Sequence, residues 1–146
     1  VTEISFHFNV PDRLVYATGL IRTALKRKMG TVVVAETATL QRLSHLLWTR
    51  SPTSFLPHCL NDAPEALLTH SPVVLTRAAL GPWSTRPLLI NLLTEVPVGF
   101  EHYDRMLEVV SHDESDRQRA RDRWKYYASR GYNISKFDGV VKKVSH

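Results

Sequence analysis

The sequence predicts an α/β fold: three layers, αβα, in a single domain over residues 1–146, built on a largely parallel sheet of about five strands. Three observations lead there. Apolar residues first alternate, then recur at helical spacing, then form the β-branched run Val32-Val33-Val34, so strand, helix and strand follow one another. That run is apolar in every position, as a central parallel strand covered on both faces requires. The chain of 146 residues, 43% hydrophobic and 23% charged, is long enough to bury a core and has the composition of one soluble domain.

The elements follow in order. Residues 3–9 place Ile4, Phe6 and Phe8 opposite Ser5 and His7, a first strand with one fully apolar face. Pro11 and Asp12 open a helix to about Lys28, with Leu14, Val15, Ala17, Leu20, Ile21, Ala24 and Leu25 at helical spacing and Gly30 as its stop. The second strand spans residues 31–35. A second helix starts near Thr37, a suitable cap, and carries Leu40, Leu43, Leu46 and Leu47 to Trp48. Residues 51–72 hold four prolines (Pro52, Pro57, Pro64, Pro72) and read as irregular. Residues 73–76, 88–93 and 105–110 are three further strands, with Trp83 in a Gly81-Pro82-Trp83 loop expected to fold onto the domain. A closing helix covers residues 113–129. Beyond Gly131 two short apolar patches remain, and this segment either packs back on the domain or stays loose, with residues 136–146 the candidate loose tail.

Composition narrows the function classes. No apolar run approaches the about 18 residues needed to span a membrane, and the first residues lack the basic and apolar regions of a secretory leader. The single cysteine, Cys59, rules out an internal disulfide framework. A cytoplasmic protein is expected. The seven histidines show no metal-ligand spacing, and no base marks Cys59 as a nucleophile. The turn after the first strand, Asn9-Val10-Pro11-Asp12-Arg13, has no glycine, and Pro11 has no N–H to offer a phosphate. These features predict neither metal, cofactor nor catalytic centre.

Charge is concentrated at the end of the chain. Residues 117–143 hold nine basic and two acidic residues, so the remainder is net acidic although the whole is +5. On a helix, Arg117, Arg121 and Lys125 stand one turn apart on one face, beside an apolar stripe of Ala120, Trp124, Tyr127 and Ala128. Asp113, Glu114 and Asp116 suit the helix N-terminus, and beyond that turn only Asp122 offsets the row. A cationic row beside an aromatic edge fits an acidic, partly apolar partner, or a single-stranded nucleic acid. A second candidate surface pairs Trp48 with Phe55 in a proline-bounded stretch beside Arg50, residue types that anchor protein interfaces.

Three co-linear segments carry a family resemblance. Leu47-Trp48-Thr49-Arg50-Ser51-Pro52 with Ser54-Phe55-Leu56-Pro57-His58, then Arg86-Pro87-Leu88-Leu89-Ile90-Asn91-Leu92, then Arg119-Ala120-Arg121-Asp122-Arg123-Trp124-Lys125-Tyr126-Tyr127 with Gly131-Tyr132-Asn133-Ile134, together resemble the chi subunit of bacterial DNA polymerase III holoenzyme. The likeness runs from Glu3 to Ile134; residues 61–85 and the last eleven residues have no assigned counterpart.

The resemblance implies an accessory subunit of the clamp-loader assembly with no active site of its own. It implies two partners: the acidic C-terminal tail of the single-stranded DNA-binding protein, and the psi subunit or an equivalent clamp-loader partner. Arg117, Arg121 and Lys125, with Trp124 and Val110 beside them, would then form the tail site, and Trp48 and Phe55 the psi-facing surface. Nucleic acid would be reached indirectly. The competing expectation is direct single-strand binding by the basic helix.

Overall fold

The computed structural model describes residues 2–49, 59–60 and 71–139. Strand β1 (Glu3–Val10) leads into helix α1 (Arg13–Lys26), followed by β2 (Thr31–Val34), α2 (Thr37–Thr49), β3 (Cys59–Leu60), β4 (Val73–Thr76) and β5 (Leu88–Asn91). A 3-10 turn (Phe100–His102) precedes β6 (Arg105–Ser111), helix α3 (Glu114–Ser129) and β7 (Ile134–Asp138). The strands form one sheet in the order β3-β4-β2-β5-β6-β1-β7, and every neighbouring pair is parallel.

Parallel strands require cover on both faces, and the core accordingly divides in two. On one side Ala17, Leu20 and Ile21 of α1 and Leu40, Leu43 and Leu47 of α2 pack on Val33, Leu75 and Ile90. On the other, Ala120 and Tyr127 of α3 pack with Ile4, Phe6, Val32 and Met106. The three-layer α/β expectation holds. Strands β2, β4 and β5 are buried at every position and apolar but for Thr31, Thr76 and Asn91 at their ends.

Two local expectations need correction. The sheet has two strands beyond the five or so expected: the two-residue β3, and β7, where the segment beyond Gly131 takes the packed-back alternative and not the loose one. The first helix does not end at Gly30. It closes two residues earlier on Lys28 in the left-handed region (φ 55°), with Met29 N–H donating to Ala24 O at 2.9 Å, a Schellman-type end. Gly30 instead allows a close approach, since a Cβ there would stand 3.0 Å from Arg86 Cγ. Trp83 does fold back, its Nε1 donating to Ala78 O at 3.0 Å.

Helix α3 ends in the same manner. Gly131 takes a positive φ of 81°, and Tyr132 N–H donates to Tyr127 O at 3.2 Å. That reversal returns the chain beside β1, so Phe6 lies in register with Lys136, and Phe8 with Asp138. Residues 140–146, including Lys142 and Lys143, lie outside the described part of the chain.

Candidate functional site

Helix α3 is fixed at its start by its own sequence. The Asp113 carboxylate caps it, accepting from Asp116 N–H at 3.2 Å and from Ser115 Oγ at 2.6 Å; those bonds hold its pKa below the usual carboxylate range. Asp116 turns inward, accepting from the backbone N–H and the hydroxyl of Ser111 at 2.8 and 3.0 Å. The helix is thereby joined to the end of β6.

The stripe facing the sheet is Asp116, Ala120, Arg123 and Tyr127. This corrects the expected stripe: Ala128 is exposed and Trp124 is half-buried at its flank. Arg123, counted by residue type among the basic surface, is inside. Its Nε donates to Glu108 Oε1 at 3.1 Å and its Nη1 to Thr94 O at 2.8 Å. Glu108 also accepts from the Tyr127 hydroxyl and from Asn91 Nδ2. Burial pushes the Glu108 pKa up, against the charge of Arg123 and the bonds from Tyr127 and Asn91, which pull it down. Burial and the Glu108 charge also raise the pKa of Tyr127. One surplus cation is thus neutralised internally, and the rotation of α3 about its axis is set.

With that rotation set, Arg117, Arg121 and Lys125 emerge together along one edge. They line a cleft of about 540 Å³ with Phe6, Phe8, Val110, Ala120, Trp124 and Lys136, a size typical of small-ligand sites. All five residues expected from the sequence to form the tail site, Arg117, Arg121, Trp124, Lys125 and Val110, therefore line one cleft. Four more join them: Phe6 and Phe8 from β1, Ala120 from α3, and Lys136 from β7. The alternation of the first strand already put Phe6 and Phe8 on one face; Lys136 gave no local signal.

The floor is aromatic and the rim cationic. Phe6 lies 5.0 Å from Trp124, centroid to centroid, and 6.0 Å from Tyr127, contacts worth about 0.5–1.5 kcal/mol each beyond simple burial. Lys136 Nζ stands 5.6 Å from the centroid of the Trp124 ring. The row is less bare than expected, because Glu114 reaches back to it. Its carboxylate is 3.6 Å from Arg117 and 3.5 Å from Arg121, and Arg121 also donates to Gln118 at 3.0 Å. Both arginine side chains remain about half exposed (51% and 49%), so these are weak surface pairs that a ligand can displace.

Where a phosphate loop would lie, in the turn after β1, the first N–H groups of α1 are already taken. The Asp12 carboxylate caps α1, accepting from Leu14 and Val15 N–H, and Arg13 crosses to Leu92 O and Val109 O at 2.7 and 3.1 Å. Among the described residues no three His, Cys, Asp or Glu side chains are grouped to hold a metal ion, and no helix is long and apolar enough to cross a membrane. Of the second candidate surface, Trp48 falls in α2 by its backbone, while its side chain and all of Phe55 lie outside the described residues.

Residues 1–135 match the family model described as "DNA polymerase III chi subunit, HolC". The chain is 32% identical over 127 residues to DNA polymerase III subunit chi of Pseudomonas aeruginosa, covering 84% of this chain and 83% of that one. It is likewise 32% identical over 94 residues to the subunit of the same name from Escherichia coli, covering 64% and 63%. Among solved structures, the C-terminal domain of S. cerevisiae Dbp5 bound to Gle1 and IP6 superposes with a TM-score of 0.58 over 99% of this chain and 96% of that one. At 13% identity that likeness speaks for the fold alone.

Proposed function

The chain belongs to the DNA polymerase III chi subunit family, accessory subunits in bacterial DNA replication, and from that premise we propose that its α3 cleft docks the acidic C-terminal tail of the single-stranded DNA-binding protein. One observation carries the reading: a single cleft joins an aromatic floor to four rim cations, Arg117, Arg121, Lys125 and Lys136. A tail that ends in acidic residues, a proline and a phenylalanine has the complementary chemistry.

The docking follows from the geometry. The terminal ring enters the notch between Phe6, Phe8, Val110 and Trp124, and its burial supplies about 2 kcal/mol. The terminal carboxylate takes Arg121, whose planar guanidinium suits a bidentate pair. Arg117 and Lys125 steer the acidic tail toward the cleft, speeding association at low salt. The protein catalyses nothing itself in this account; it recruits.

Two observations weigh against direct nucleic-acid binding by the same helix. Trp124 is half-buried and packs against Phe6, and the Tyr126 ring is covered by the Arg130 guanidinium 3.7 Å from its centroid. Each ring already has a packing partner on one side, which leaves less face for a base to stack on. A psi-facing surface at Trp48 and Phe55 is proposed from the family resemblance and their residue types.

Fluorescence anisotropy tests the reading with a labelled acidic peptide ending in Pro-Phe and, separately, a labelled single-stranded oligonucleotide. Saturable peptide binding that disappears when the terminal Phe is deleted is the expected result. Binding of the oligonucleotide but not the peptide would overturn it.

A further inference from the structure

The cleft has two sides, and only one belongs to the helix. Strand β7 delivers Lys136 in register with Phe6, its ammonium facing the Trp124 ring at 5.6 Å. Strand alternation sends Ser135 and Phe137 to the opposite face, where both line a separate pocket beside α1, so Lys136 is the cation that β7 contributes here. Arg117 and Arg121 share Glu114 in the free protein. Among the described residues no acid pairs with Lys125 or Lys136.

Resting on the tail-docking reading, we infer that Lys136 is a specificity-determining residue that pairs with an acidic side chain upstream of the ligand's aromatic end, and so sets the direction of the peptide in the cleft. The two anion positions lie at different heights along α3. Arg121 stands one turn, about 5.4 Å, closer to the helix N-terminus than Lys125. That half of the cleft carries the guanidinium groups, whose planar fork suits a fixed, planar terminal carboxylate. From there the peptide runs along Trp124, and the preceding acids arrive between Lys125 on α3 and Lys136 on β7. An ammonium is a point charge on a flexible stem, which fits a side-chain carboxylate of looser placement.

The test uses the full chain and three labelled peptides: the acidic peptide ending in Pro-Phe, the same peptide with its aspartates changed to asparagine, and the acidic peptide with an amidated C-terminus. Lys136→Ala should weaken the acidic and the amidated peptides by about three- to fivefold, the worth of one exposed ion pair, and leave the asparagine peptide unchanged. Arg121→Ala should weaken the acidic and asparagine peptides and leave the amidated one unchanged. Lys136→Arg should restore binding. Equal loss on the acidic and asparagine peptides would reduce Lys136 to a wall of the Trp124 notch. A Lys136 effect that vanishes on amidation would reverse the peptide's direction. Wild-type binding with no Lys136 effect would overturn this inference alone, whereas no wild-type binding to any peptide would overturn the docking reading with it.

Discussion

Arg123 of α3 and Glu108 of β6 meet at 3.1 Å with their side chains 3% and 0% exposed. The buried cluster around this pair is completed by Asn91, Tyr127 and Thr94. The pair fixes which face of α3 looks outward, so the cationic cleft depends on a buried group that never touches the ligand.

Removing one partner leaves the other charge buried and uncompensated, so Arg123→Ala should lower the unfolding free energy by about 3–5 kcal/mol. The double change Arg123→Met with Glu108→Gln should recover much of that loss, because no unpaired charge remains. Denaturant unfolding measures both. A loss below about 1 kcal/mol in the single variant, the size of an ordinary surface change, would mean that the pair is not formed in solution.

Glu114 competes with the ligand for Arg117 and Arg121. Glu114→Gln should therefore tighten binding of an acidic peptide by about two- to fivefold, the range of an exposed ion pair, at a cost to helix stability of about 0.5 kcal/mol from the lost charge near the N-terminus. Peptide titrations of the variant decide it: unchanged or weaker binding would show that Glu114 does not hold the arginines.

Asp113 gives α3 an acid-sensitive start. Its folded pKa is lowered by bonds from Ser115 and Asp116, so its contribution is complete above the unfolded value and is lost as pH falls through the folded one. Circular dichroism should show helix content falling below about pH 4, and Asp113→Asn, which caps without titrating, should flatten that fall. An identical acid profile in the variant would place the sensitivity elsewhere.

Arg121→Ala should weaken the acidic peptide by about 2 kcal/mol, or roughly thirtyfold in Kd. The effect should shrink at high salt, where charge steering is screened. Isothermal titration at two salt concentrations checks it, and full affinity in the variant would remove Arg121 from the site.

Much of this was readable from local pattern, because local pattern carried it. The unbroken valines of β2, the alternation of Phe6 and Phe8, and the spacing of Arg117, Arg121 and Lys125 each report their own surroundings within a few residues. Two features were not, for a shared reason. Arg123 sits at helical spacing from Ala120 and Tyr127, yet its charge suggested solvent; only Glu108, on another element, makes its burial affordable. Lys136 lies in a short, mostly exposed strand whose existence depends on pairing with β1, more than 120 residues earlier. Partners remote in sequence decided both, and neither leaves a periodic trace.

The central claim is that the cleft between α3 and the β1–β7 edge receives an acidic peptide with an aromatic end. Amide and indole chemical-shift mapping on isotope-labelled protein, titrated with the acidic peptide ending in Pro-Phe, tests it most directly. The account predicts saturable shifts centred on the Trp124 indole N–H and the backbone amides of Phe8, Arg121 and Lys136, absent with a peptide lacking the terminal Phe. Shifts clustered on α2, or none at Trp124 under saturating peptide, would contradict it.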